Sequence, residues 1–129
     1  MVAPRLKKDL GQHHLRQGAV CAPLVEFLAP RGARVLEVGP GGGALTTELL
    51  SAGARVLGWE LDLAWAAALR ARLAHPELEL VVGDALELPW ERLPAPTLVA
   101  GNLPYGVATA LIDRVLDQGP LRVPRAGFL

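Results

Sequence analysis

The chain has 129 residues, 51% of them hydrophobic, and its formal net charge at pH 7 is zero. This length and composition are typical of one globular unit with a sizeable core. The absence of a long apolar run or a secretory leader argues against membrane insertion and favours the cytoplasm. One cysteine, Cys21, can form neither an intrachain disulfide nor a metal cluster, so we expect a buried, inert thiol and no metal.

Positive charges cluster near both ends of the chain. Residues 1–16 form a basic N-terminal arm that contains Arg5, Lys7, Lys8 and Arg16, with His13 and His14 beside them, and Arg114, Arg122 and Arg125 gather near the other end. Such clusters can bind a polyanion, or they can be ordinary solvated surface.

The first half of the chain reads as alternating helices and strands. GAVCAPLVEFLAP has apolar residues at helical spacing and predicts a helix that ends at Pro30. ARVLEVG predicts a strand, and ALTTELLSAG predicts a helix that ends near Gly53. ARVLGWE then predicts a second strand, and DLAWAAALRARLA a helix that begins after Asp62.

The second half continues the alternation. LELVV and TLVAGN predict the third and fourth strands, separated by the loop GDALELPWERLPAP, which can contain a helical turn. ATALIDRVLDQG predicts a fourth helix, and RAGFL the opening of a fifth strand. Because strands alternate with helices, we expect a doubly wound parallel α/β sheet, covered on both faces and truncated in or after strand five. A longer chain or a second copy would cover its open edge, so a homodimer is one expectation.

Polar or glycine residues stand at four consecutive strand ends. These are Gly39, Glu60, Asp84 and Asn102. In parallel sheets ligands bind outside the carboxyl ends of the strands, so we expect these residues to share one binding rim.

The loop GPGGGA after the first strand predicts a nucleotide-like ligand. Glycines let the backbone approach a ligand closely, and the next helix presents its positive end. The pattern Gly39-x-Gly41-x-x-Ala44 also fits the dinucleotide fingerprint, so the loop by itself does not separate NAD from S-adenosylmethionine. The alternative interpretation is a set of glycines needed only for a tight turn.

Two carboxylates extend this hypothesis. Glu60 lies about twenty residues past the loop, where a carboxylate can accept hydrogen bonds from ribose hydroxyls. Asp84 is placed to accept from the exocyclic amine of an adenine. The alternatives are a solvent-facing acid at Glu60 and a loop-capping aspartate at Asp84.

The segment GNLPYG after the fourth strand predicts recognition of a nucleobase amine. The Asn102 side chain and a neighbouring backbone carbonyl are acceptors for a planar amino group, Pro104 stiffens the turn, and Tyr105 offers a stacking face. The alternative is a plain turn with a surface tyrosine.

The segments KKDLGQHHL, EVGPGGGALT, WELD, GDA and GNLPY, in this order, resemble the ribosomal RNA adenine-N6 dimethyltransferases. The resemblance implies a Rossmann-like fold, S-adenosyl-L-methionine as cofactor and small-subunit rRNA as the preferred substrate. For cofactor binding it implies His13, Leu15, Gly39, Gly41, Glu60, Asp84 and Asn102. For catalysis it implies Asn102, Leu103, Pro104 and Tyr105, with the Asn102 side chain and the Leu103 carbonyl accepting from the N6 amine of a flipped adenine.

The chain also departs from this family. His14 replaces a usual phenylalanine in the arm, and Gly106 replaces a common asparagine after the tyrosine. The family's C-terminal helical RNA-binding domain is absent, so residues 1–129 are expected to be an incomplete methyltransferase domain. One alternative is therefore a catalytically silent S-adenosylmethionine-binding module that dimerises. Another is an NAD-dependent oxidoreductase, which leaves the segment from Asn102 to Tyr105 unexplained.

Overall fold

The computed structural model describes residues 18–129, which form a five-stranded parallel sheet in the order β3-β2-β1-β4-β5. The strands are β1 (Arg34–Val38), β2 (Arg55–Glu60), β3 (Leu78–Val82), β4 (Leu98–Gly101) and β5 (Ala126–Phe128). The sequence order reverses beside β1, so β1 and β4 border the switch point at which parallel sheets bind ligands. The predicted doubly wound sheet is confirmed.

One α-helix precedes β1 and three more connect strands of the described sheet, and the long connection between β3 and β4 contains two short 3-10 turns. The helices are α1 (Ala22–Leu28), α2 (Ala44–Ser51), α3 (Leu63–Arg72) and α4 (Tyr105–Gln118), and the turns are Ala85–Glu87 and Trp90–Arg92. Three of the helices match the sequence expectation closely. The fourth begins at Tyr105 rather than near Ala108, because Pro104 occupies its N-cap and fixes the turn into the helix.

Local chemistry explains where the helices begin and end. Pro23 lies in the first turn of α1, where its missing N–H costs nothing, and Ala29 ends that helix in a left-handed conformation with φ 47°. Gly53 follows α2 at φ 89°, a conformation that glycine adopts without strain. Asp62 caps α3 by accepting from the backbone N–H groups of Ala64 and Trp65.

The two faces of the sheet carry separate hydrophobic cores. Alternate residues of β1 point to opposite faces, so Val35 belongs to one core and Leu36 to the other. The first core contains Leu28 of α1, residues of α2 and the buried Cys21; the second contains Leu111 and Val115 of α4 together with the 3-10 turns. Layers on both faces hold the strand ends in fixed relative positions.

The fold also bears on three features considered in the sequence: the single cysteine, membrane-spanning helices and the arginines near the end of the chain. Cys21 is buried as expected, and burial raises the pKa of its thiol to about 11. Between residues 18 and 129, no helix is both long and apolar enough to cross a membrane. The arginines near the end of the chain, Arg114, Arg122 and Arg125, each donate to backbone carbonyls in another segment.

Candidate functional site at the carboxyl rim of the sheet

The four residues singled out at strand ends lie along one edge of the sheet. Because the strands are parallel and adjacent, the positions after β1, β2, β3 and β4 share the carboxyl rim. Val38 pairs with Gly101, so Gly39 and Asn102 follow directly paired residues of neighbouring strands. The rim predicted from the sequence is therefore present.

The glycine loop joins β1 to α2 through backbone conformations that favour glycine. Gly39 and Gly41 have φ values of 68° and 53°, and both are left-handed. The N–H of Gly39 donates to the carbonyl of Trp59 at 2.9 Å, which continues the pairing of β1 with β2 into the loop. The loop leads directly into the N-terminus of α2, which carries the positive end of the helix dipole.

Glu60 is buried at the end of β2 and holds the glycine loop. It is 7% exposed, its Oε1 accepts from the N–H of Gly41 at 2.8 Å, and its Oε2 accepts from the N–H of Asp62 at 2.9 Å. Each carboxylate oxygen can accept two hydrogen bonds, so the contacts within the described part of the chain leave one acceptor position on each oxygen. A solvent-facing acid, the alternative interpretation, does not describe this residue.

Asp84 caps the turn after β3 and is connected to Glu60 through the backbone. Its Oδ1 accepts from the N–H of Leu86 at 2.9 Å, while its Oδ2 has no hydrogen-bond partner among residues 18–129. The N–H of Gly83 donates to the carbonyl of Glu60 at 3.0 Å, which holds the ends of β2 and β3 together. Asp84 thus has the capping role of the alternative interpretation and also keeps one oxygen available.

The segment from Asn102 to Tyr105 presents its polar and aromatic groups outward. Asn102 is exposed, and Tyr105, the first residue of α4, is 94% exposed. Leu103 is partly buried, packs against the second hydrophobic core and touches the glycine loop at Gly39. An exposed amide and an exposed aromatic ring therefore follow a residue that is anchored to the loop.

A buried carboxyl group, Glu37, lies below the loop and was not given a role by the sequence reasoning. It is 1% exposed and accepts from the Oγ1–H of Thr46 in α2. Burial, and to a lesser degree the charge of Glu60, raise its pKa to about 8, although the Thr46 hydrogen bond opposes this. An acidic residue inside an otherwise apolar strand was the signal that could have revealed it.

Two exposed leucines beside Glu60 were also missed. Leu61 and Leu63 follow β2 and are 70% and 69% exposed. Large apolar side chains on both sides of the α3 cap at Asp62 give the rim an apolar surface next to its carboxylates. The signal in the sequence was the pair of leucines flanking Asp62 directly after the strand.

Some of the proposed site residues cannot be compared with the structure. His13 and Leu15, together with the rest of the basic arm, lie outside the described residues. Within residues 18–129, no group of three or more His, Cys, Asp or Glu side chains is placed to hold a metal ion.

Comparison with known proteins gives a consistent family. Residues 3–127 match the family model described as ribosomal RNA adenine dimethylase. A protein of Nitratidesulfovibrio vulgaris named ribosomal RNA small subunit methyltransferase A is 42% identical over 98% of this chain and 49% of its own length. The chain thus spans about half the length of that relative.

The solved structures with a similar fold include methyltransferases. The crystal structure of the 23S rRNA methyltransferase ErmE is 35% identical, with a TM-score of 0.73 over 85% of this chain and 44% of that one. The glycopeptide N-methyltransferase MtfA, solved with S-adenosyl-L-methionine, is 24% identical, with a TM-score of 0.61 over 78% of this chain and 48% of that one. The second likeness shows the Rossmann-like methyltransferase fold alone.

Proposed function

Because this chain belongs to the ribosomal RNA adenine dimethylase family, we propose that it forms the cofactor-binding and base-binding half of an S-adenosyl-L-methionine-dependent enzyme. The proposed reaction is methylation of adenine N6 in ribosomal RNA. Small-subunit rRNA is the preferred substrate, as in the name of the Nitratidesulfovibrio relative. A cytoplasmic location is proposed together with this substrate.

The rim residues fit the cofactor by their chemistry. Gly41 leaves room for close approach of a ligand, since a Cβ built there would have only the Gly39 carbonyl oxygen, at 3.9 Å, within 4 Å. Gly39 is proposed to contact the cofactor through its backbone, because Leu103 fills the space where its Cβ would lie. The contacts among residues 18–129 leave acceptor positions on Glu60 for ribose hydroxyls and leave one carboxylate oxygen of Asp84 for the adenine amine. His13 and Leu15 of the arm are proposed to complete this site. When bound, the cofactor supplies a methyl group activated by a sulfonium.

Asn102 to Tyr105 are proposed to bind the adenine that is methylated. The Asn102 side-chain oxygen and the Leu103 carbonyl would accept the two hydrogens of the N6 amine. These two hydrogen bonds withdraw the N6 lone pair from conjugation with the ring and make the nitrogen more nucleophilic. Pro104 fixes the turn, and the exposed ring of Tyr105 would stack on the flipped base. Positioning and electrostatics then supply the catalysis, without a metal.

One observation carries this proposal. The Asn102 segment follows β4, which pairs with β1, and Leu103 contacts the glycine loop at Gly39. An amine held by Asn102 would therefore lie next to a ligand held by the loop. The dinucleotide alternative gives no role to this arrangement.

Methyl transfer to unmethylated small-subunit rRNA tests the proposal directly. We expect Asn102→Ala to abolish transfer from labelled S-adenosylmethionine while binding of S-adenosylhomocysteine, measured by calorimetry, changes by less than about threefold. Asp113→Asn, an exposed position later in α4, serves as the matched control and should keep both properties. Full transfer by Asn102→Ala would rule out the role of the amide.

The same samples test the second candidate, a silent cofactor-binding module. Saturable binding of S-adenosylhomocysteine without transfer by the unsubstituted chain would favour that candidate, and binding of NADH alone would favour an oxidoreductase. The homodimer stays a prediction: β5 is an edge strand in the described sheet, so its outer side is open to pairing with a second copy. The molecular mass in solution distinguishes a homodimer from a monomer.

A further inference from the structure

A helix outside the strand ends also contacts the glycine loop. Arg72, in the last turn of α3, donates from Nη2 to the backbone carbonyl of Gly42. The two residues are 30 positions apart in the sequence, so this is a tertiary contact. It links the end of α3 to the centre of the loop.

The packing around Gly43 shows how closely α3 approaches. A Cβ built on Gly43 would lie 2.5 Å from Cδ1 of Leu69 and 2.8 Å from Nη2 of Arg72. Leu69 is itself 1% exposed, so it is held in place by the core. The loop and the second half of α3 therefore fit together only because this loop residue has no side chain.

The beginning of α3 is linked to the same loop through Glu60. The Asp62 cap of α3 donates its N–H to Glu60 Oε2, and Glu60 Oε1 accepts from the N–H of Gly41. Gly41 is thus linked through Glu60 to the beginning of α3, and Gly42 is linked through Arg72 to the end of the same helix. These hydrogen bonds close a ring through Glu60, α3 and the loop.

We propose that Arg72 is a positioning residue that fixes the glycine loop in the conformation required for cofactor binding. This inference rests on the proposed function. Glu60 is assigned both to the loop and to the ribose, whereas the contact between Arg72 and Gly42 involves no atom assigned to the cofactor and can hold the loop whether or not the cofactor is bound. A guanidinium is always charged and has a rigid planar set of donors, which suits it to this task better than lysine.

Arg70 provides a matched control on the same helix. It is also exposed, lies in the same last turn and donates from Nη2 to a backbone carbonyl, that of Leu80 in β3, at 3.0 Å. Its loss should therefore cost a similar amount of stability. Of these two arginines, Arg72 is the one that donates to a carbonyl of the glycine loop.

The experiment compares Arg72→Gln, Arg72→Lys and Arg70→Gln with the unsubstituted chain. Calorimetric titration with S-adenosylhomocysteine should show affinity reduced about five- to tenfold in Arg72→Gln, less in Arg72→Lys, and by less than about twofold in Arg70→Gln. The midpoint temperature of thermal unfolding should fall by the same amount in the two glutamine variants. Equal affinity losses in both glutamine variants, or none in Arg72→Gln, would overturn the proposal.

Hydrogen exchange of the ligand-free protein separates this inference from the proposed function. The Gly41 and Gly43 amides donate to Glu60 and to the Pro40 carbonyl, and they should exchange faster in Arg72→Gln but not in Arg70→Gln. Unchanged exchange in Arg72→Gln would reject the positioning role even if the chain binds the cofactor. If the unsubstituted chain binds no S-adenosylhomocysteine, the proposed function fails, and the exchange rates still decide whether Arg72 holds the loop.

Discussion

Leu103 packs so closely against Gly39 that a Cβ on Gly39 would lie 2.9 Å from Cδ2 of Leu103. The glycine loop after β1 and the segment after β4 therefore touch across the rim, and each limits the conformation of the other. The proposed cofactor site and the proposed adenine site share this contact.

We expect Gly39→Ala to damage the site. The new Cβ would meet Leu103, and alanine at φ 68° is strained, so the free energy of unfolding should fall by about 1 to 2 kcal/mol. Displacement of Leu103 would also move the carbonyl assigned to the adenine amine. Urea unfolding measures the first effect and calorimetry with S-adenosylhomocysteine the second, and wild-type values in both would contradict the packing described.

Gly106→Ala should have the opposite effect on stability. Gly106 lies in the first turn of α4, has no positive φ, and a Cβ there would meet nothing within 4 Å. Alanine loses less conformational entropy in a helix, so the free energy of unfolding should rise by about 0.5 to 1 kcal/mol. Urea unfolding at constant pH checks this, and a destabilised variant would show that the glycine is needed where the family commonly has asparagine.

Replacing Glu60 with alanine should weaken both the fold and cofactor binding. The N–H groups of Gly41 and Asp62 would lose their acceptor, which costs about 1 to 3 kcal/mol of stability when such groups are buried. Affinity for S-adenosylhomocysteine should fall at least about tenfold. Glu87→Ala removes an exposed carboxylate from the turn after β3 and should change neither quantity. An unchanged affinity in Glu60→Ala would refute the ribose contact.

Glu37 should make the stability of the fold depend on pH. Burial raises its pKa from 4.5 to about 8, so between these values the folded protein holds a proton that the unfolded chain has released. The free energy of unfolding should therefore fall as pH rises through this window, by up to about 1.4 kcal/mol per pH unit, and level off above it.

Glu37→Gln provides the measurement for this dependence. The amide carries no titratable proton and can still accept from Thr46, so the slope assigned to Glu37 should disappear. Urea unfolding of both proteins at several pH values across the window gives the comparison. Cys21 lies close to Glu37, but its raised pKa of about 11 keeps the thiol neutral throughout. Parallel pH profiles for the two proteins would show that Glu37 is ionised in the folded state.

The alternation of elements and the rim were predictable because they depend on local patterns. Apolar strands stopped by glycine, and helices started by Asp62 or ended near Gly53, are set by neighbouring residues alone. Parallel pairing then follows from connection geometry, and it brings the four strand ends to one edge. The position of Asn102 and Tyr105 directly after β4 was predictable for the same reason.

Contacts between distant residues could not be obtained in this way. The sequence shows that Glu60 is acidic and near a strand end, but only the tertiary structure shows that it binds Gly41 and is buried. The raised pKa of Glu37 depends on its burial in the folded protein, and the contact of Arg72 with Gly42 joins residues 30 positions apart in the sequence. The sequence by itself therefore determined which residues reach the rim, since that follows from local periodicity. Their hydrogen bonds, burial and protonation were decided by the packing of helices onto the sheet, because these properties arise only when segments far apart in the chain exclude water together.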